Sequence, residues 1–338
     1  MSPRHPSPGA LRAPTLVALI IAALGAGVVL WLVFDAAPEL AGAHAPPPSA
    51  VTVTLEPPAA LPGEATIELV ALRVPAAIEP ADALPPPPDD PGVEIAAGDA
   101  WLTYARPFDA PPGTPRIAIV VTGLGISASA TGAAIRLPGG VTLSFSTEGR
   151  NLQDWVDKAR AAGHEVMIDL PMEPLDYPAL DPGPQALLTS LTSAENVALL
   201  KWHLGRAVGF VGVMHSMGSR FTASPDALRP VLSALKVRGL MFLDGRTTSH
   251  SVAARLASSI GLPRAINDRF LDDHASRHAI DRRLAEIEAI ARDTGYAVAI
   301  GHAFPVTFER LARWLPTLAA RGFVLAPITA LINKQALQ

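Results

Sequence analysis

The 338-residue chain carries 31 acidic against 27 basic side chains, a formal net charge of −4, and no cysteine. Disulfides, thiolate metal centres and cysteine nucleophiles are therefore excluded, and there is no basic excess of the kind a nucleic-acid partner requires. Length and a hydrophobic content of 49% allow two domains, or one large α/β domain with appendages.

The first element is an uncharged apolar run from Thr15 to Phe34. As a helix it spans about 30 Å, the hydrocarbon thickness of a bilayer. Arg4 and Arg12 precede it and Asp35 and Glu39 come after it. Residues 1–14 are thus predicted to be cytoplasmic, 15–34 a single-pass anchor in a bacterial-type inner membrane, and the remainder periplasmic. A cleaved signal peptide is the alternative, since Ala43-His44-Ala45 has the small-x-small form. Residues 35–112 contain Pro46-Pro47-Pro48 and Pro85-Pro86-Pro87-Pro88. Such runs cannot enter helix interiors or central strands and favour extended polyproline II, so a Pro-rich linker is predicted. Within it 51–55 and 65–72 read as short strands, and the aromatic stretch Trp101 to Phe108 is expected to pack against the globular domain.

From residue 113 to 338 apolar runs alternate with amphipathic segments. Strands are predicted at 117–121, 141–145, 165–170, 208–214, 240–244, 296–300 and 323–328, with a weaker one near 264–271. Short apolar runs bounded by Gly or Pro suit strands buried on both faces of a parallel sheet. The helices between them have readable ends. Gly163, Gly295 and Gly322 mark C-terminal caps. Thr192 with Glu195 forms a capping box, Ser224-Pro225 is an N-cap with a first-position proline, and Pro230 and Pro316 are expected to kink their helices. The fold class predicted is α/β, a distorted (β/α) barrel of seven or eight strands; an open doubly wound sheet is the alternative. Gly123-Leu124-Gly125 lacks the third glycine of a dinucleotide fingerprint.

In β/α barrels the chemistry sits at the C-terminal strand ends. Those ends read Thr122-Gly123, Ser146-Thr147, Asp169 with Glu173, His215-Ser216, Asp244 with Arg246, and His302. Each has a structural alternative: Asp169 as a buried salt bridge, Glu173 as a loop cap, His215 as a satisfied core histidine, Asp244-Gly245-Arg246 as a turn. His250, His274 and His278 read as solvated, Asp272-Asp273 as a loop or helix start, and Trp155, Trp202 and Trp314 as core. Carboxylates and imidazoles converging on one rim would hold Zn²⁺ or polarise a water, although no H-x₃-H or H-E-x-x-H spacing is present.

The segments RIAIVVTGLG, VTLSFS, AGHEVMIDLPMEP, DPGPQALLTS, VGVMHSMGSRFT, GLMFLDGRT and AIGHAFPVT resemble, in order and spacing, the successive motifs of the divergent polysaccharide deacetylase family. The resemblance covers roughly 116–330. It implies a distorted barrel related to carbohydrate deacetylases and glycoside hydrolases, a polysaccharide partner with N-acetyl groups, and hydrolytic deacetylation. Asp244, Arg246 and His302 match the family pattern and are expected to be catalytic; a rearranged site would add Asp169 as a catalytic residue, Glu173, His215 and Ser216 as substrate contacts, and Zn²⁺ or another divalent metal with Asp169, Asp244 and His302 as candidate ligands. Three positions depart from the family pattern. Thr122-Gly123 stands for an Asp-Asp pair, Asp169 for a His, and Ser216 for the His of Asn-Asn-His-Met-Gly-Ser. A carbohydrate-binding or scaffold protein that keeps the fold without the reaction is the alternative function, as is a protein that positions envelope partners.

Overall fold

The computed structural model describes residues 100–337. The anchor at 15–34 and most of the 35–112 linker lie outside the described residues, among which no helix is long and apolar enough to cross a membrane.

Strands β1 (Arg116–Leu124), β2 (Thr142–Ser146), β3 (Val166–Met172), β4 (Gly212–Met217), β5 (Met241–Asp244), β6 (Arg264–Ile266), β7 (Arg269–Phe270), β8 (Tyr296–His302) and β9 (Val324–Leu325) make one parallel sheet. Its order is β6-β5-β4-β3-β2-β1-β8-β7, with β9 beside the start of β1. β6 pairs with β5 and β7 pairs with β8, yet both belong to the single segment 264–270. The change of partner falls at Asn267, whose N–H donates to the Asp244 carbonyl at 2.8 Å, and Asp268, whose N–H donates to the Val298 carbonyl at 2.9 Å. One segment thus touches both ends of the sheet and curls it into a barrel-like ring. An open doubly wound sheet would leave those ends apart. The same split explains why this strand is faint in the sequence: neither half is long enough to show a period.

Where the segment leaves β6 unpaired on one side, the C-terminal tail covers it. Asn333 exchanges two hydrogen bonds with the Arg264 backbone, at 2.8 and 3.2 Å. The Gln335 amide accepts from Ile266 N at 2.7 Å and donates to its carbonyl at 2.5 Å. Two side-chain amides and one backbone N–H here take the place of a neighbouring strand along β6.

Alternation along the strands separates two apolar layers. Ile117, Ile119, Val121, Phe145, Ile168, Val213 and Phe242 face outward and pack on the helices. Those helices are α1 (Ala100–Thr103), α2 (Ala128–Ile135), α3 (Leu152–Ala161), α4 (Ser193–Leu204), α5 (Pro225–Val237), α6 (Ala253–Ser259), α7 (Arg277–Thr294) and α8 (Pro305–Trp314). Ala118, Val120, Met167, Met214, Leu243, Ala265, Val298 and Ile300 face inward with Ile328 and Leu331. Trp101, Tyr104 and Phe108 pack against this inner layer, as their aromatic character predicts.

Several ends agree with the sequence signals. The capping box at Thr192 and Glu195 is formed, and Gly295 closes α7 in the left-handed conformation. Others shift for local reasons. The strand expected from 208 begins at Gly212, because Gly209 at φ +96° breaks the extended run. The one expected over 323–328 ends at Leu325, since a 3₁₀ turn over Ile328–Leu331 comes directly after Pro327. Pro230 does not end α5, which continues to Val237, whereas α8 passes into a 3₁₀ turn containing Pro316.

Gly212 is required by close approach rather than by a special φ: a Cβ there would stand against the Met241 backbone of β5. Gly212→Ala is expected to lower stability by about 1–3 kcal/mol through overpacking, read as the urea midpoint.

Candidate site at the C-terminal mouth of the sheet

Continuing the same alternation past the apolar layer places Thr122, Ser144, Asp169, Ser216, Asn267 and His302 on the inner face, and His215 and Asp244 on the outer face. Thr122 is the register partner of His302 in β8, and Ser146 that of Asp169 in β3. A register shift between Val121 and Leu124, with Gly123 at φ +75°, bends β1 at its end and turns the Gly123 N–H inward.

Asp169 is buried at 4% exposure. Its Oδ2 accepts from Thr122 Oγ1 at 2.8 Å and from Gly123 N at 2.9 Å, and Oδ1 accepts from Ser144 Oγ. Burial pushes this carboxyl above the ordinary Asp range; the three donors and the nearby His302 oppose that rise. The residues that replace the family's Asp-Asp pair thus become hydrogen-bond donors to the carboxylate that replaces its His.

His302 sits across the mouth, its side chain 44% exposed. Its Nδ1 donates to Asp272 Oδ1 at 2.8 Å, while Asp272 Oδ2 accepts from His302 N at 2.7 Å and Thr307 Oγ1 at 2.6 Å. The Asp272 side chain is fully buried. This arrangement fixes the ring and favours its charged form: the Asp272 hydrogen bond raises the His302 pKa, burial opposes, and the Asp272 and Asp169 charges reinforce the rise. Phe270 and Phe304 stack on the ring at centroid distances of 6.0 and 5.5 Å, and Phe304 is 43% exposed. Asp272, read from sequence as a loop or helix start, is the residue that reasoning missed. Thirty positions separate it from His302, and only the β7–β8 pairing joins them.

The remaining sequence candidates lie elsewhere or are engaged. Asp244, on the outer face, accepts from Arg246 N and Ser251 Oγ, both at 2.9 Å. Burial raises its pKa, but its hydrogen bonds, those from Arg246 N and Ser251 Oγ among them, hold it below the ordinary range. His215 Nδ1 donates to the Met217 carbonyl and Nε2 accepts from Gly245 N, each at 2.8 Å, and Nε2 lies 3.4 Å from Asp244 Oδ1. His215 and Asp244 thus build the β4–β5 loops instead of lining the inner face. Arg246 is exposed on a left-handed turn at φ +52°. Glu173 accepts from Thr189 N and Oγ1 at 2.5 and 2.6 Å and pairs with Arg220 at 3.5 Å, so it ties two loops together.

This donor set does not fit the metal that the family pattern implies. Both Asp169 oxygens are engaged, Asp244 faces the helices, and Ser216 stands in place of a His. Among the described residues no group of three or more His, Asp or Glu is arranged to hold a metal ion.

Asp169→Ala would strand the buried hydroxyls of Thr122 and Ser144 and is expected to cost about 2–4 kcal/mol in urea unfolding. The raised His302 pKa means that its contribution to stability is complete below the unfolded-state value and is lost as pH rises through the folded value. Proton NMR titration should place His302 above the ordinary histidine value, and Asp272→Asn should bring it back.

Residues 119–332 match the divergent polysaccharide deacetylase family model. The uncharacterized protein YibQ of Escherichia coli K12 is 26% identical over 219 residues, 65% of this chain and 68% of its own length. An uncharacterized Haemophilus influenzae protein is 27% identical over 203 residues, 60% of this chain and 72% of its own. The crystal structure of an uncharacterized protein from Agrobacterium tumefaciens C58 is 36% identical with a TM-score of 0.67, across 69% of this chain and 95% of that one. The chain belongs to the divergent polysaccharide deacetylase family.

Proposed function

We propose that this protein is a membrane-anchored envelope protein that binds an N-acetylated polysaccharide at the C-terminal mouth of its sheet, without the metal-dependent deacetylation that the sequence resemblance implies. The observation that carries this reading is the mouth itself. A half-exposed His302 is stacked between Phe270 and Phe304 beside a floor in which Thr122 and Ser144 hydrogen-bond to Asp169. Aromatic faces suit the apolar faces of sugar rings, and fixed polar groups beside them set orientation. The uncharged run at 15–34 with its basic flank supports the anchor and a periplasmic domain. In isothermal titration, full-length protein in detergent should bind an N-acetylglucosamine tetramer. Phe304→Ala should weaken that binding about tenfold through the lost aromatic contact, while circular dichroism stays unchanged. Absence of binding to this oligomer and to peptidoglycan fragments would refute the reading.

A second reading rests on the Asp272–His302 pair. An imidazole held at Nδ1 by a buried carboxylate is the arrangement of a general base. Deacetylation would then begin with the neutral imidazole, His302 Nε2 taking a proton from the water that attacks the acetyl carbonyl, and end with that proton passing to the leaving amine as the C–N bond breaks and acetate departs. Acetate release from the same tetramer, abolished by His302→Ala, would replace the binding assignment with this one.

A further inference from the structure

We propose that the pocket between α7 and α8 is a second site, which takes a small oxyanion group, a phosphate or a carboxylate, carried by a ligand of about monosaccharide size. The pocket has a volume of about 320 Å³, at the lower end of the roughly 300–1,000 Å³ typical of ligand sites. It is built from the helical layer, not from the inner face that carries His302. Arg310, Arg313 and Arg321 line it together with Asp281, Glu288 and Trp314. Three guanidinium groups against two carboxylates leave the lining one positive charge in excess.

The back wall is fixed. Glu288 is only 3% exposed; it accepts from Trp314 Nε1 at 2.7 Å and pairs with Arg321 Nη2 at 2.5 Å. Burying a carboxylate is costly unless it is paired, so Glu288 holds Arg321 in place while the Arg321 side chain stays 48% exposed. Arg310 is the more buried partner of its own pair, its side chain 17% exposed, and its Nε donates to Asp281 Oδ1 at 2.6 Å. Arg313 is held only by the i,i+4 pair to Glu309 at 3.2 Å, its side chain 67% exposed. Exposed pairs of that kind contribute little and exchange readily for a better acceptor. Each guanidinium presents five N–H donors in a planar fork, and these contacts engage only part of each fork. Forks set around one cavity match the oxygen geometry of phosphate and carboxylate.

The experiment is isothermal titration of the full-length protein in detergent with inorganic phosphate and, separately, with glucuronate. Saturable binding of at least one anion is expected, and the tighter of the two identifies whether the ligand is a phosphorylated or an acidic sugar. Arg310→Gln/Arg313→Gln should weaken it by about tenfold or more, the loss expected for charge-assisted hydrogen bonds. Both residues lie in the outer helical layer, and a thermal melt checks that the variant is folded. His302→Ala should leave this binding unchanged. No saturable binding of either anion, or wild-type affinity in the double variant, would overturn the proposal. Phe304→Ala and His302→Ala alter only the mouth and Arg310→Gln/Arg313→Gln only this pocket, so the two assignments fail separately.

Discussion

The mouth of the sheet is organised around a carboxylate that water cannot reach. Asp169 lies on the inner face of β3, and leaving it without partners there would cost several kcal/mol. Three groups meet that demand: the Thr122 hydroxyl, the Gly123 N–H at the bend of β1, and the Ser144 hydroxyl on β2. β1 and β3 are not neighbours, so the carboxylate bridges across β2 and ties three strand ends to one point.

That arrangement also accounts for the departure from the family pattern. Relative to that pattern, the carboxylate has moved from the first strand to the third, and the first strand has become donor instead of acceptor. The exchange keeps the polar centre self-consistent. It also engages three of the roughly four acceptor sites of the Asp169 carboxylate, and with Ser216 in place of a His no ligand is added in return. The group left open to solvent is His302, oriented from behind by Asp272. The mouth thus presents an oriented imidazole stacked on two aromatic rings, the feature on which the proposed sugar contact rests.

Much of this was legible in the sequence because parallel strands buried on both faces advertise themselves as apolar runs, and their polar ends stand out against them. Six strand ends and the capping box at Thr192 could be read directly. His215 stands one residue before the position, Ser216, at which the family pattern has its His, and on a strand that single step reverses the face, in keeping with its place beside Asp244. Two features were not legible, and a third, the strand near 264–271, showed only faintly. Asp244 looked like a partner of Asp169, but its own parity on β5 sends it to the helices; parity is fixed by where a strand starts, and a four-residue strand gives too little pattern to count from. Asp272 is joined to His302 only by tertiary pairing. The segment 264–270 divides its hydrogen bonds between two neighbours, so neither half has a periodic signature.

β1 lies at the centre of the hydrogen-bond network, with β2 on one side, β8 on the other, and β9 sharing the β2 side at its start. Two of those three partners lie near the far end of the chain. In order of synthesis, the first strand of the domain is therefore among the last to be enclosed. Until β8 and β9 arrive, an apolar stretch, Ile117 to Val121, has one exposed hydrogen-bonding edge, the kind of segment prone to pair with the wrong partner. Closing so long a loop also slows folding. For a domain proposed to complete its ring only after export, this interval is the point at which protection by other proteins matters most.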